Sequence, residues 1–470
     1  MGWLSEMGFR FGNNVKRSLS DESKNATRLG ILSFEMAKVM SRLVSLYKSL
    51  SDHEMIELRK SITKSQGVAY LNSNDEGFLL NLACAERLED VDKAGNAVAR
   101  LGLKCSDYGL NRFDVVYTDL KLGIIDLGKL EYGSRGTEKR IEKMEGLISA
   151  TSSLYSALEA LTELEISERK LQLWKNNKAA MQSQQINFEL FDQKIAFQRK
   201  QVGQFRQISL WSKTFDKTVG LMARIVCIVY ARICVVFGPY IPVLPSLSLR
   251  NIQQRYAIRV QPESCFIEPI REQVTSRSGP IPKTSKPCLV RFYSQKSILF
   301  SSEDCGFGGN NNRVFHAAGP STVGGSGLAL RYANVVLLAE SYLDSGVTIG
   351  DDAREGLYEM LPENLKALVR SKLSKNLRSM DNDDESLAEG WREALKAIMG
   401  WLAPMAHDTI KWQLERNFEK MKFDTTPSVL LLQTLHFSNK EKAEAAIAEV
   451  LVGLSCIYRY ENRRSYETDW

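Results

Sequence analysis

Hydrophobic positions recur at steps of three and four along most of the chain, the spacing of a single helix face. In residues 28–50, Leu32, Met36, Val39, Leu43, Leu46 and Leu50 form one such stripe. Ile31, Met40 and Val44 widen it, which predicts a helix set deep in a bundle. Ser51-Asp52-His53-Glu54 then has the form of a capping box, with a serine hydroxyl ready to accept an N–H three residues on. A turn that short predicts an antiparallel second helix. Asn72 to Asp75 is a polar break and a natural cap, followed by a helical pattern over 77–103 with Phe78, Leu82, Ala85 and Leu88 on one face. Residues 113–130 continue in the same style. Beyond Arg135 the rhythm of Ile141, Met144, Ile148, Thr151, Tyr155 and Leu158, with polar positions running on to Arg206, predicts long antiparallel helices or a short coiled coil. Helical patterns resume at 326–344, 353–380, 386–420 and 427–460. The alternation of strands and helices that marks an α/β sheet is missing. The expected fold is all-α, with N-terminal and C-terminal helical regions packed as bundles.

The most apolar stretch, residues 219–243, reads VGLMARIVCIVYARICVVFGPYIPV. A membrane span needs about twenty apolar residues with few charges. Arg224 and Arg232 interrupt this one, and Pro239, Pro242 and Pro245 end it. An arginine near the bilayer centre costs about 2.5 kcal/mol on insertion scales. The pattern therefore predicts a buried or interfacial helix whose arginines snorkel outward, and Arg224 and Arg232 become candidate lipid contacts. From 246 to 318 the helical period stops, and prolines, glycines and serines take over, as in a partly disordered linker. The organisation expected is a flexible N-terminus at 1–27, a helical domain at 28–134, long helices ending in the apolar one at 135–245, a basic linker at 246–318, a second helical domain at 319–460 and a tail at 461–470.

Charge sharpens this picture. The net charge of the 470 residues is +6. Residues 246–318 hold ten Lys/Arg against five Asp/Glu, so most of the excess is one local patch. That patch suits an anionic membrane surface or an acidic partner, and the modest total gives no reason to expect nucleic acid. The eight cysteines include no C-x-x-C pair, and only four histidines accompany them, so neither zinc nor a disulfide scaffold is expected. His53, His316, His407 and His436 are scattered without a positioned partner, which leaves no candidate general base. No catalytic residue, cofactor or small-molecule substrate is expected. The opening MGWLSEM raises N-myristoylation at Gly2, although the serine that the pattern wants at position six stands at Ser5.

One loop invites a chemical reading. GPSTVGGSGLALRYAN at 319–334 has Gly319 and Gly324 spaced as in a phosphate-cradling P-loop, but Gly325 stands where the lysine belongs and Ser326 follows. Without that cation the loop cannot neutralise a triphosphate. The glycines then serve close backbone approach, with Thr322 or Ser326 capping a helix. Thr322, Gly324, Gly325, Ser326 and Gly327 remain candidate contacts for a weakly held anion or a partner.

Two stretches carry a resemblance. LGILSFEMAKVMSRLVSLYKSLSD at 29–52 resembles the N-terminal motif of the plant PSK simulator family, and TVGGSGLALRYANVVLLAE at 322–340 resembles its second signature. The resemblance implies a plant growth regulator linked to phytosulfokine peptide signalling, inside the cell at the nucleus or the plasma membrane, with no enzymatic activity. It implies protein partners engaged through helix faces and grooves. This chain looks like a shorter branch with a weaker acylation signal. The alternative reading is a membrane-surface scaffold that binds anionic lipid through residues 219–243 and the basic linker.

Overall fold

The computed structural model describes residues 28–127, 130–177, 185–241, 244, 313–345, 351–377, 384–416 and 423–468. The chain forms two compact units, one of Met1–Pro245 with Asn311–Trp470 and one of Ser246–Asn310. All described residues belong to the first. Gly2 and residues 246–312 of the basic linker lie outside them. Among the described residues there is no β-strand, only isolated bridges between Arg28 and Thr214 and between Thr322 and Asn439. The fold is all-α, as the periodicity requires.

Helix α1 (Leu32–Ser49) is almost wholly enclosed: Met36, Met40, Leu43 and Val44 have no exposed surface, and Ser33 and Ser41 are as deeply buried. Ile31 departs from the expected stripe and is exposed, because it stands at the cap where the chain enters the helix. Only the serine half of the expected capping box forms: the Ser51 hydroxyl accepts the Glu54 N–H at 3.3 Å and starts α2 (Asp52–Lys60), while the Ser51 N–H donates to Lys48 O. Asp75 caps α3 (Glu76–Gly102) by accepting the N–H groups of Gly77 and Phe78. Helix α4 (Phe113–Lys121) follows, shorter than the stretch expected at 113–130. Two long antiparallel helices come next, α5 (Arg135–Asn177) and α6 (Gln185–Ile208), joined at their base by Leu154, Ala157 and Val202.

The apolar segment is helix α7 (Phe215–Phe237), packed against α1 and α3. By length and composition it is the one described helix able to cross a bilayer. Its place is the core: Val219, Met222, Ile225, Val226, Val229 and Ile233 are completely buried by protein.

The C-terminal helices are α8 (Ala329–Ser345), α9 (Asp351–Glu359), α10 (Glu363–Leu377), α11 (Asp384–Arg416) and α12 (Lys440–Thr468). The pattern at 353–380 is two helices because Pro362 interrupts it, having no N–H to continue a helix. The stretch expected to be helical from 427 is instead an extended segment followed by two 3₁₀ turns, Leu431–Gln433 and Leu435–Phe437. Pro427 disfavours helix in the residue before it, and the backbone there finds its hydrogen bonds in other elements. Leu71, from the N-terminal half, belongs to the same hydrophobic cluster as Val323, Tyr332, Leu395 and Leu435. The two halves of the chain therefore share one core inside the first unit.

Candidate functional site

The glycine loop is filled by its own chain. Each backbone N–H from Thr322 to Leu328 already has an acceptor: in order, Gly319 O, Ser438 O, His436 O, the Thr322 hydroxyl, Thr322 O, Gly324 O and Val323 O. No donor is left to cradle a phosphate, so the reading of Thr322, Gly324, Gly325, Ser326 and Gly327 as an anion contact is corrected. Close approach is what the glycines supply. A Cβ on Gly324 would run into the His436 ring, and one on Gly325 into the Gly319 carbonyl. Gly327 has φ of +71°, in the left-handed region that glycine enters freely. Neither Thr322 nor Ser326 caps a helix. Their hydroxyls bond to Gly319 O and Val323 O inside the loop, and α8 begins only at Ala329.

The snorkelling expectation fails at Arg232. Its guanidinium is buried, donates to Leu50 O at 3.0 Å, pairs with Asp52, and lies 4.5 Å from the centre of the Tyr132 ring. It holds the start of α2 against α7 and is closed to lipid. Arg224 is half-buried on the same helix.

A buried ionic cluster missed in the sequence joins α1, α3 and α11. Leu79, Ala83, Glu86, Asp90 and Ala94 follow helical steps along the buried face of α3, so two carboxylates stand where apolar residues are expected. Glu86 Oε1 accepts from Trp412 Nε1 at 2.8 Å and from Arg416 Nη2 at 2.7 Å, while Oε2 accepts the Leu431 N–H at 2.7 Å. Asp90 pairs with Arg42 at 2.5 Å and with Arg416 through both carboxylate oxygens. Arg87 donates to Ser428 Oγ at 2.6 Å and to Ser428 O at 2.9 Å. Burial pushes the Glu86 carboxyl up, against the pull of Arg416 and Arg87. Burial alone would raise Asp90 too, but Arg416, Arg42 and Arg87 outweigh it and hold that carboxyl well below the usual range. Charges buried this deeply persist only when paired and hydrogen-bonded, which these are. Among the described residues the carboxylates of the cluster are answered by arginines, Trp412 and a backbone N–H, and they tie three helices together.

Beside it, the rings of His436 and Phe315 stack at 4.0 Å, and Phe315 stacks on Trp412 at 5.4 Å. His436 Nε2 lies 2.8 Å from Phe315 O. His407 lies 2.6 Å from a Glu340 carboxylate on an exposed surface.

An open cleft of about 350 Å³ lies between α9, α10 and α12. Leu357, Leu373, Leu451 and Leu454 give it apolar walls, and Tyr342 and Tyr458 stand at its sides. Lys366 and Arg370 each sit 5.4 Å from the Tyr358 ring centre, while the buried Tyr358 hydroxyl has no hydrogen-bond partner. An apolar cleft with a few polar groups in its lining, here Glu355, Ser455 and the tyrosines, is the form a binding pocket takes.

A family model described as a domain of unknown function (DUF3475) matches residues 31–87, and one described as a protein of unknown function (DUF668) matches 322–411. Protein PSK SIMULATOR 1 of Arabidopsis thaliana is 23% identical over 437 residues, 91% of this chain and 55% of its own length. Protein PSK SIMULATOR 3 of the same plant is 23% identical over 460 residues, 96% and 58% respectively, and PSK SIMULATOR 2 is 21% identical over 457 residues, 94% and 62%. The chain is similar to the PSK SIMULATOR proteins along almost its whole length, and its two matched segments lie near its start and in its C-terminal half. It spans between 55% and 62% of the length of these three relatives. No solved structure matches.

The ionic cluster sits where the two matched segments meet. Glu86 and Arg87 end the first segment, and Trp412 and Arg416 follow directly after the second. The cleft is built by elements of the second segment together with α12.

Proposed function

We propose that the protein is a non-enzymatic regulator of plant growth, an adaptor in phytosulfokine-type peptide signalling that binds protein partners through its helical surface. The open apolar cleft of Leu357, Leu373 and Leu454 carries this reading. It offers an apolar seat edged by a few polar groups, Glu355, Ser455 and the tyrosines among them, as expected for one helix or peptide side chain. The names of the three relatives support the link to growth signalling. The five described cysteines are free and buried, in keeping with work inside the cell, at the nucleus or the cytoplasmic face of the plasma membrane.

The membrane-scaffold alternative loses one of its proposed contacts in Arg232, and rests otherwise on Arg224 and the basic linker at 246–318. The test is photo-crosslinking in plant tissue from a benzophenone amino acid in place of Tyr458. A discrete adduct that Leu454→Asp abolishes, in a chain that still folds, supports the adaptor. Labelling that ignores Leu454→Asp removes the cleft as the partner site.

A further inference from the structure

Thr426-Pro427 is the only Ser/Thr-Pro dipeptide in the 470 residues. It lies in the segment from Phe423 to Leu430, which has no helix, and Thr426 is exposed. Among the described residues the Thr426 hydroxyl makes no hydrogen bond, and the bonds that tie its segment to α1 and α11 run through the segment's backbone. Ser45 Oγ on α1 donates to Thr426 O at 2.6 Å, Ser41 Oγ donates to Asp424 O, and the Val429 N–H donates to Glu415 at 3.0 Å. The same segment carries Ser428 and leads into Leu431, the partners of Arg87 and Glu86.

We propose that Thr426 is a phosphorylation site for a proline-directed protein kinase and that its modification loosens this segment from α1. The hydroxyl is in solvent, no packing must be broken to reach it, and the next residue brings no N–H. In the transfer, Thr426 Oγ gives its proton to the kinase's base and attacks the γ-phosphorus of ATP. The Oγ–P bond forms as the bond from that phosphorus to the β,γ-bridging oxygen breaks, and ADP leaves.

The consequence follows from charge. Asp424 Oδ1 accepts the Thr426 N–H at 2.9 Å, so its carboxylate lies against the residue that is modified. Oγ is three bonds from that nitrogen. A phosphate carrying about −1.5 to −2 charge placed there repels the carboxylate. The turn opens, and the carbonyls of Asp424 and Thr426 leave Ser41 and Ser45. The modified chain thus holds the junction of its two family segments less tightly.

The test uses the full folded chain, ATP with magnesium, and a kinase of the MAP-kinase or cyclin-dependent class, with the sites mapped by mass spectrometry. The expected result is phosphate on Thr426, absent in Thr426→Val and at least tenfold slower in Pro427→Ala, which keeps the hydroxyl. Amide hydrogens of residues 424–432 should then exchange at least tenfold faster in the phosphorylated chain. Modification of the urea-unfolded chain but not the folded one overturns the site. Equal rates in Pro427→Ala overturn the kinase class, and unchanged exchange after phosphorylation overturns the release.

Discussion

Arg416 Nη2 donates to Glu86 Oε1 at 2.7 Å, joining residues 330 positions apart in the chain. The same guanidinium grips Asp90, so one side chain neutralises two buried carboxylates. Removing a single partner of such a cluster leaves charge stranded without water. Arg416→Met should therefore destabilise the protein by about 3–5 kcal/mol in urea unfolding. Adding Glu86→Gln to it should recover part of that loss, because the remaining Asp90 carboxylate still faces Arg42 and Arg87. A loss below about 1 kcal/mol in Arg416→Met would mean that water reaches the site, against the burial of Glu86 and Asp90.

His436 makes stability depend on pH. Burial pushes its imidazole below the ordinary histidine value, and the hydrogen bond to Phe315 O only partly offsets this. The unfolded chain takes up a proton near pH 6.5, whereas the folded chain resists it. The unfolded state therefore binds more protons below that pH, and stability falls as pH drops from about 7 towards 5, by at most about 1.4 kcal/mol per pH unit. His436→Phe keeps a ring against Phe315 and cannot titrate. It should be the less stable chain at pH 7.5, with a flatter profile, so the gap to wild type narrows by about 1 kcal/mol between pH 7 and 5. Parallel profiles in thermal melts would reject the assignment.

The helices were legible because their signals are local. The caps at Ser51 and Asp75 and the spacing of Met36, Leu43 and Leu46 each act within a few residues. The missing lysine at Gly325 told against nucleotide chemistry for the same reason. What stayed hidden depends on residues far apart in sequence. Arg232 reads as a charge that must find water until Asp52 and Leu50 O are seen across from it. Glu86 and Asp90 are closed over by Arg416, Trp412 and Leu431, which lie more than three hundred residues on. The misplaced carboxylates on the apolar face of α3 were the available signal, and nothing in the sequence pointed to their partners. The cleft is assembled by three helices, so no single periodicity describes it.

Arg232 gives a prediction that separates core from membrane. Its charge is buried and answered by Asp52, which is itself largely exposed. Arg232→Glu places a carboxylate opposite Asp52 and Leu50 O and should cost about 3 kcal/mol or more. Arg224→Glu, on a half-buried position, should cost less. Flotation with anionic liposomes should show no loss of binding specific to Arg232→Glu at temperatures where that chain is folded. A folded Arg232→Glu chain that detaches from liposomes to which wild type binds would return the residue to lipid.

The glycine loop offers a graded test of packing. Gly324 faces the His436 ring, and an alanine Cβ there would also stand 2.5 Å from His436 O, a backbone atom that cannot swing aside. The loop would have to leave the segment around His436 and break the bonds from Val323 and Gly324 to Ser438 O and His436 O, at 2.9 and 2.8 Å. Gly324→Ala should therefore cost about 3 kcal/mol, the upper end for forcing extra volume into a packed site. Gly327→Ala meets no neighbour but must hold φ at +71°, and should cost about 1 kcal/mol. Gly319→Ala meets nothing within 4 Å and should fall within about 0.5 kcal/mol of wild type. The order Gly324, Gly327, Gly319 in chemical denaturation is the prediction. An anion cradle would behave differently: sulfate or phosphate would raise the melting temperature of wild type, and Gly324→Ala would abolish that rise. With the loop's donors already engaged, no such rise is expected beyond the general salt effect, which both chains should share equally.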